Sequence, residues 1–423
     1  MNRTLKTLLV AILVAFLVLF FISFLPPPAA EQARASAYFS SDEIDIGKRY
    51  SFGRSLLFWG ATGMELGFLL TLVASGAARR LADRMARWTG YTADMPSFWR
   101  WFATLLLVGI TCALLQSLVL FPVGFVSHRY SQVWDTTQQV FDDWLGQYLL
   151  ATVVGIVTVG VPFVGLYLLL RCFPRTWYLW AAIGGTLLGF AFAYLAPLVI
   201  APLFNKFTPL SQSEYAKLEP RLRSLASKAG IPVEDIYVMD ASRQSSHTNA
   251  YFTGLGATQS IVLYDTLLKK HSPDEVESIL AHEIGHWQHR HIIQGVLLAG
   301  LLSLVGLILL DRILRYFREV SPVNLTGLAD PAGLPLILLL GFLGSWIAMP
   351  LASAVSRHFE RQADATSLEL AGMPDVFIEA EKKLAVHNHS NVVPVPWNVW
   401  LYASHPPAID RIEMAKEWQA KKP

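Results

Sequence analysis

Ala281-His282-Glu283-Ile284-Gly285-His286-Trp287 is the stretch on which the reading of this chain turns. Residues four apart share a helical face, so His282 and His286 can offer imidazole nitrogens to one metal ion with Glu283 beside them. Neutral imidazoles make two of the usual three protein ligands of a hydrolytic zinc site, and the ion activates a water for attack on a carbonyl. A carboxylate next to the first ligand can take that water's proton and later hand it to a leaving amine. The pattern also turns up by chance on the polar stripe of ordinary amphipathic helices, so its context decides.

Two neighbouring features supply that context. Ser272-Pro273-Asp274-Glu275 offers a capping hydroxyl, a proline at the first helical position and a glutamate three residues after the cap, which predicts a helix running through the motif. Downstream, Ser356-Arg357-His358-Phe359-Glu360-Arg361-Gln362-Ala363-Asp364 sets two carboxylates four apart: Glu360 as third metal ligand, Asp364 to orient a ligating histidine. The competing reading is a solvated helix face paired with Arg357 and Arg361, but the run follows directly on an apolar segment.

That segment is one of many. Of 423 residues, 53% are hydrophobic and 16% charged, and the mean hydropathy of +0.40 places the chain among integral membrane proteins. No basic block is interleaved with aromatics, so nucleic acid is not a partner to expect; the lipid bilayer is. Cys112 and Cys172 lie in or beside apolar runs and read as small buried hydrophobes. Stretches of about 20 apolar residues predict seven spans, at 5–25, 55–77, 100–122, 147–170, 177–203, 292–314 and 333–354. The first reads as a retained anchor rather than a signal peptide, because its apolar run is long and Pro26-Pro27-Pro28 ends it abruptly. Glu65 in the second must face protein or water, either as a contact between helices or as the wall of a wet cavity.

The polar segment before the motif carries a helix signal near Leu218–Ala229. Three short strands follow, at Asp235–Met239, Asn249–Thr253 and Ser260–Tyr264. An edge strand can bind a substrate as an added strand, and Asn249-Ala250-Tyr251 is the candidate. His289 and His291, just past the motif, read as membrane-interface residues. After Asp364 the sequence predicts a helix over 374–387, a Pro/Trp-rich loop, and a last helix opened by Ser404-His405-Pro406-Pro407. His405 is either a turn residue or a donor to the oxyanion formed when the carbonyl is attacked. The chain thus divides into five spans over 1–203, a zinc-peptidase segment with small sheet over 204–291, two spans over 292–354, and a C-terminal segment over 355–423.

Six motifs in order, HEIGH at 282–286, SRHFERQAD at 356–364, APLFNKFTPL at 201–210, SSHTNAYFTG at 245–254, IVLYDTLL at 261–268 and SHPP at 404–407, resemble the Ste24 family of integral-membrane zinc metalloproteases. The resemblance implies a mainly α membrane protein whose seven transmembrane helices enclose a water-filled chamber, capped by the zinc domain. It also implies an endopeptidase that trims prenylated CAAX peptides with one zinc ion per chain. By that resemblance His282, His286 and Glu360 match zinc ligands, Glu283 the general base and Asp364 the partner behind a ligand. Asn249 and Ala250 match the substrate-aligning edge, and His405 and Arg411 match side chains that contact the substrate carbonyl.

The facing of the zinc domain stays open. Arg3 and Lys6 precede the first span, Arg79, Arg80, Arg84, Arg87 and Arg100 lie between the second and third, and Arg312, Arg315 and Arg318 follow the sixth. The positive-inside rule then sets the zinc domain outside the cytoplasm, whereas eukaryotic members of the family face the cytosol. A broad-specificity quality-control protease is the alternative that fits an outward domain. A seven-span transporter or receptor with an incidental HExxH is more remote, since it gives Glu360 no reason to follow the motif.

Overall fold

In lipid every backbone polar group must be satisfied within the chain, so long apolar runs fold as helices. The structure is a computed structural model that describes residues 3–92, 97–230, 235–318, 320 and 323–421. Helix α1 (Arg3–Ile22) ends ahead of the three prolines, and α2 (Ala29–Ser36) follows. Then come α3 (Ser41–Ala74), α4 (Ala77–Thr89), α5 (Phe98–Val133) and α6 (Phe141–Cys172). Helix α7 (Trp177–Leu195) continues through a π-helical turn into α8 (Ala201–Phe204). The polar segment holds β1 (Phe207–Pro209), α9 (Glu219–Lys228), β2 (Asp235–Met239), β3 (Ala250–Thr253), β4 (Ser260–Tyr264) and α10 (Asp265–Lys270). It leads into α11 (Pro273–Gln288), α12 (His291–Phe317), α13 (Leu334–Ala371), α14 (Pro374–His387), α15 (Pro396–Tyr402) and α16 (Ala408–Lys421).

Among the described residues, six helical stretches are long and apolar enough to cross a membrane: α3, α5, α6, α7 with α8, α12, and α13 with the turn before it. Six of the seven expected spans are thus supported, and the first expected span holds the apolar helix Lys6–Ile22 within α1. The six close on themselves, α3 packing on α5, α5 on α6, α6 on α7, α7 on α12, α12 on α13 and α13 back on α3. One buried cluster takes a residue from each of them, Leu69, Trp101, Tyr167, Trp177, Leu314 and Leu336, so the ring is filled at one end. Glu65 resolves as a contact between helices, its Oε1 accepting from Gln116 Nε2 of α5 at 2.8 Å. Cys112 is buried as expected, but Cys172, at the last turn of α6, is exposed.

The sheet has four strands in the order β1-β2-β4-β3, parallel only between β2 and β4, which leaves β3 on an edge. Leu222 and Leu225 of α9, Ile261 and Leu263 of β4, and Val276 and Leu280 of α11 form its core. A second core joins Ala35 of α2 and Ile44 of α3 to Phe377 of α14 and Ile409 and Ile412 of α16. The N-terminal elements therefore brace the C-terminal ones. Helix α13 runs 38 residues without a break through Pro350, about 57 Å at 1.5 Å per residue.

Candidate active site

Helix α11 starts as its sequence dictates, Ser272 Oγ accepting from Glu275 N at 3.3 Å and Glu275 Oε2 from Ser272 N at 3.1 Å. Lys383 of α14 adds a 2.6 Å ion pair to Glu275 Oε1. Regular helix from there puts the two Nε2 atoms of His282 and His286 3.2 Å apart. Between them Gly285 is what lets α13 approach, because a Cβ there would stand 2.7 Å from Ala363 Cα. That close crossing delivers Glu360, with Oε2 3.4 Å from His282 Nε2 and Oε1 3.5 Å from His286 Nε2.

The three groups fit a metal ion. Ligand atoms about 2.0–2.1 Å from a tetrahedral centre stand roughly 3.3 Å apart, close to the spacings found here. Glu360 Oε2 is buried without a hydrogen-bond partner, an arrangement that costs free energy unless something else meets it. His282, His286 and Glu360 are the group that could hold a metal ion among the described residues, one donor atom of each lying within 4.8 Å of the others.

Each histidine is held from behind. His282 Nδ1 lies 2.8 Å from Asp364 Oδ1, and Arg411 grips the same carboxylate, Nε to Oδ2 at 2.9 Å and Nη2 to Oδ1 at 2.5 Å. The remaining guanidinium nitrogen pairs with Glu381 Oε2 at 2.5 Å, so Arg411 is committed first to Asp364 and Glu381. His286 Nδ1 lies 2.8 Å from His291 Nδ1. His291, the first residue of a candidate span, is 6% exposed and turned into the site, a contact the sequence reading did not include, while His289 Nε2 meets Thr366 Oγ1 at 3.2 Å.

Glu283 sits against the edge strand, its Oε2 accepting from Phe252 N at 3.1 Å. Burial pushes its carboxyl up to about 7, against the opposing pull of His282 and the Phe252 amide. Asn249 Oδ1 accepts from Ala250 N at 2.9 Å, and both residues line an 80 Å³ recess beside Glu283 together with Ile279 and Phe377. His405 reaches the site from the turn before α16, its Nε2 3.5 Å from Glu360 Oε1 and its Nδ1 2.9 Å from Ser404 Oγ. All nine sequence-predicted site residues therefore gather at one place. It opens on a cavity of about 1090 Å³ walled by Ser51 and Phe58 of α3, His247, Asn249, Tyr402 and His405.

The model of peptidase family M48 matches residues 212–419, which contain this whole constellation. CAAX prenyl protease 1 of Saccharomyces cerevisiae is 33% identical over 329 residues, covering 70% of this chain and 69% of its own. The chain belongs to the Ste24 family of M48 metalloproteases. The uncharacterized metalloprotease YhfN of Bacillus subtilis is 28% identical over 390 residues, 91% of this chain and 88% of that one. The fold is shared with S. mikatae Ste24p, at TM-score 0.79 and 24% identity over 95% of this chain and 96% of that one. As a Ste24-family member the chain is a multi-pass integral membrane metalloprotease with a metal cofactor and a peptide or protein substrate. The transporter or receptor reading, with its incidental HExxH, is not favoured.

Sequence reasoning missed His291, Gln362, Gly285 and Glu381. The glycine inside HEIGH was the one available signal, since an interior helical glycine asks for a reason.

Proposed function

We propose that this chain is a zinc endopeptidase that cuts extended C-terminal segments of membrane-associated peptides, prenylated ones in particular. The convergence of His282, His286 and Glu360 beside Glu283 and an edge strand carries this reading. The same donor set, two imidazoles and a carboxylate, suits zinc. The prenyl class rests on relatives named CAAX prenyl protease 1 and on a cavity walled by a membrane-spanning helix.

A bound zinc supplies a Lewis acid and an activated water. The chain's own residues do the rest. The outer edge of β3, which no further strand covers, aligns the substrate as an added strand, with Asn249 and Ala250 at the end nearest the recess and the Ala250 amide exchanging its bond to Asn249 Oδ1 for one to the substrate. Glu283 takes a proton from the attacking water as its oxygen bonds to the carbonyl carbon, then delivers that proton to the amine nitrogen as the C–N bond breaks. His405 donates to the oxyanion, and Arg411 through Asp364 keeps His282 oriented.

The test is mass-spectrometric mapping of cleavage in detergent, with a farnesylated CAAX peptide and its unlipidated twin, for wild type and Glu283→Gln. Loss of the last three residues only from the lipidated peptide, and only with wild type, is expected. Equal cutting of both peptides at scattered apolar positions would sink the prenyl substrate, and turnover by Glu283→Gln would sink the general base.

A further inference from the structure

Five residues past His286 on a continuing helix, a side chain would lie about 140° round the axis and face away from the metal group. The chain does not continue. Helix α11 ends at Gln288, Arg290 takes a left-handed conformation at φ 55° and ψ 39°, and α12 begins at His291. This is a conformation that residues other than glycine, asparagine and aspartate seldom adopt. Its effect is to swing His291 back, so that Nδ1 reaches His286 Nδ1 at 2.8 Å while Nε2 reaches Gln362 Oε1 at 2.9 Å. The ring lies flat on Phe359, centroids 4.2 Å apart and planes 11° apart, one residue before Glu360.

The protons along this row have one consistent arrangement. For His286 to offer its Nε2 lone pair beside Glu360, its Nδ1 must carry the hydrogen, and His291 Nδ1 must accept it. His291 Nε2 then carries the second hydrogen and donates it to the Gln362 carbonyl, which can only accept. We propose that His291, oriented by Gln362 and Phe359, is a positioning residue that fixes the metal-ligating tautomer of His286. The proposal rests on the reading of His282, His286 and Glu360 as the metal site.

The two histidines are thereby held unequally. His282 donates to a carboxylate, Asp364, and a charge-assisted bond of that kind is roughly twice as strong as a neutral one. His286 donates to a neutral imidazole and gains less electron density at Nε2. One helix, α13, manages both, with Asp364 behind the first and Gln362 behind the partner of the second.

The experiment is zinc affinity of the full chain in detergent, by competition with a chelator, alongside the melting temperature of the metal-free protein. His291→Phe keeps the ring stack and removes the acceptor; His291→Asn keeps an acceptor near the Nδ1 position. A weakening of about 10- to 100-fold is expected for His291→Phe. His291→Asn should recover most of it, with the metal-free melting temperatures of the two variants alike. Wild-type affinity in His291→Phe, or equal loss in both variants, overturns the proposal. If His291→Phe does not fold, Gln362→Leu decides, with several-fold weaker binding expected and unchanged binding overturning it. His286→Ala guards the parent reading: undiminished zinc there removes the metal site itself. Zinc loss there beside wild-type affinity in His291→Phe removes only the role of His291.

Discussion

Glu360 and His405 stand 3.5 Å apart, yet the proposed mechanism gives them separate tasks that metal content and turnover can tell apart. Glu360→Ala removes a ligand and is expected to lower bound zinc. His405→Ala is expected to keep the zinc and lower kcat by about 100- to 1,000-fold, the usual cost of one lost oxyanion donor. Equal zinc in the two variants would count against Glu360 as a ligand. Glu360 was legible because helical spacing carries it: His282 and His286 are four apart, as are Glu360 and Asp364, whereas His405 rested on the SHPP resemblance. His291 was not legible, because its place depends on one left-handed residue, and that residue is an arginine rather than the glycine or asparagine that announces such a turn.

The crossing of α11 over α13 depends on a missing side chain. Gly285→Ala puts a Cβ 2.7 Å from Ala363 Cα, and since that neighbour is backbone the helices must part. Overpacking of this kind costs about 1–3 kcal/mol. Both a lower melting temperature and weaker metal retention are expected, and an alanine variant that binds zinc as wild type would show the crossing is not what sets the site. The start of α11 adds a pH dependence. His271 is buried 3.2 Å from Glu275 and against His387, and burial, reinforced by His387 and Lys383 and opposed by Glu275, lowers its pKa to about 4. The unfolded chain, near 6.5, binds the proton more readily, so this contribution is complete above about 6.5 and is lost as pH falls toward 4. Melting curves across that range should fall more steeply for wild type than for His271→Phe; parallel curves would exclude His271. Helix ends were the least legible elements. Hydropathy starts the second span at 55, whereas the Ser40–Glu43 capping box starts α3 at Ser41, and its polar first turns carry no apolar signal. Strand β1 escaped because it has three residues and stops at Pro209.

Across the whole molecule, the metal group and the filled end of the ring lie far apart, Glu360 standing roughly 40 Å along α13 from Leu334. At that end Asp330 is 4% exposed in its side chain and takes an ion pair from Arg79, with further bonds from Thr326 N at 2.8 Å and Ala332 N at 3.0 Å. Asp330→Leu leaves Arg79 with Asp83 and the Asn324 carbonyl as partners but strands the backbone donors of Thr326 and Ala332, and is expected to cost about 1–3 kcal/mol. The readout is a lower melting temperature with metal content unchanged, and an unaltered melt would refute the role given to this pair. The membrane class was plain from composition, since only an apolar chain reaches this hydropathy. Six of the seven expected spans were legible in the same way, because each carries an apolar helix longer than the roughly 20 residues needed to cross. The closed ring was not legible from the residues: neighbours such as α13 and α3 are set by packing between segments hundreds of residues apart.

A cavity of about 1090 Å³ cannot receive a folded domain, whose radius of gyration is about 13 Å even at 100 residues. A peptide bond reaches a site of that size only on an extended segment, so the bulk of a folded neighbour is itself a barrier to cleavage, whatever its sequence.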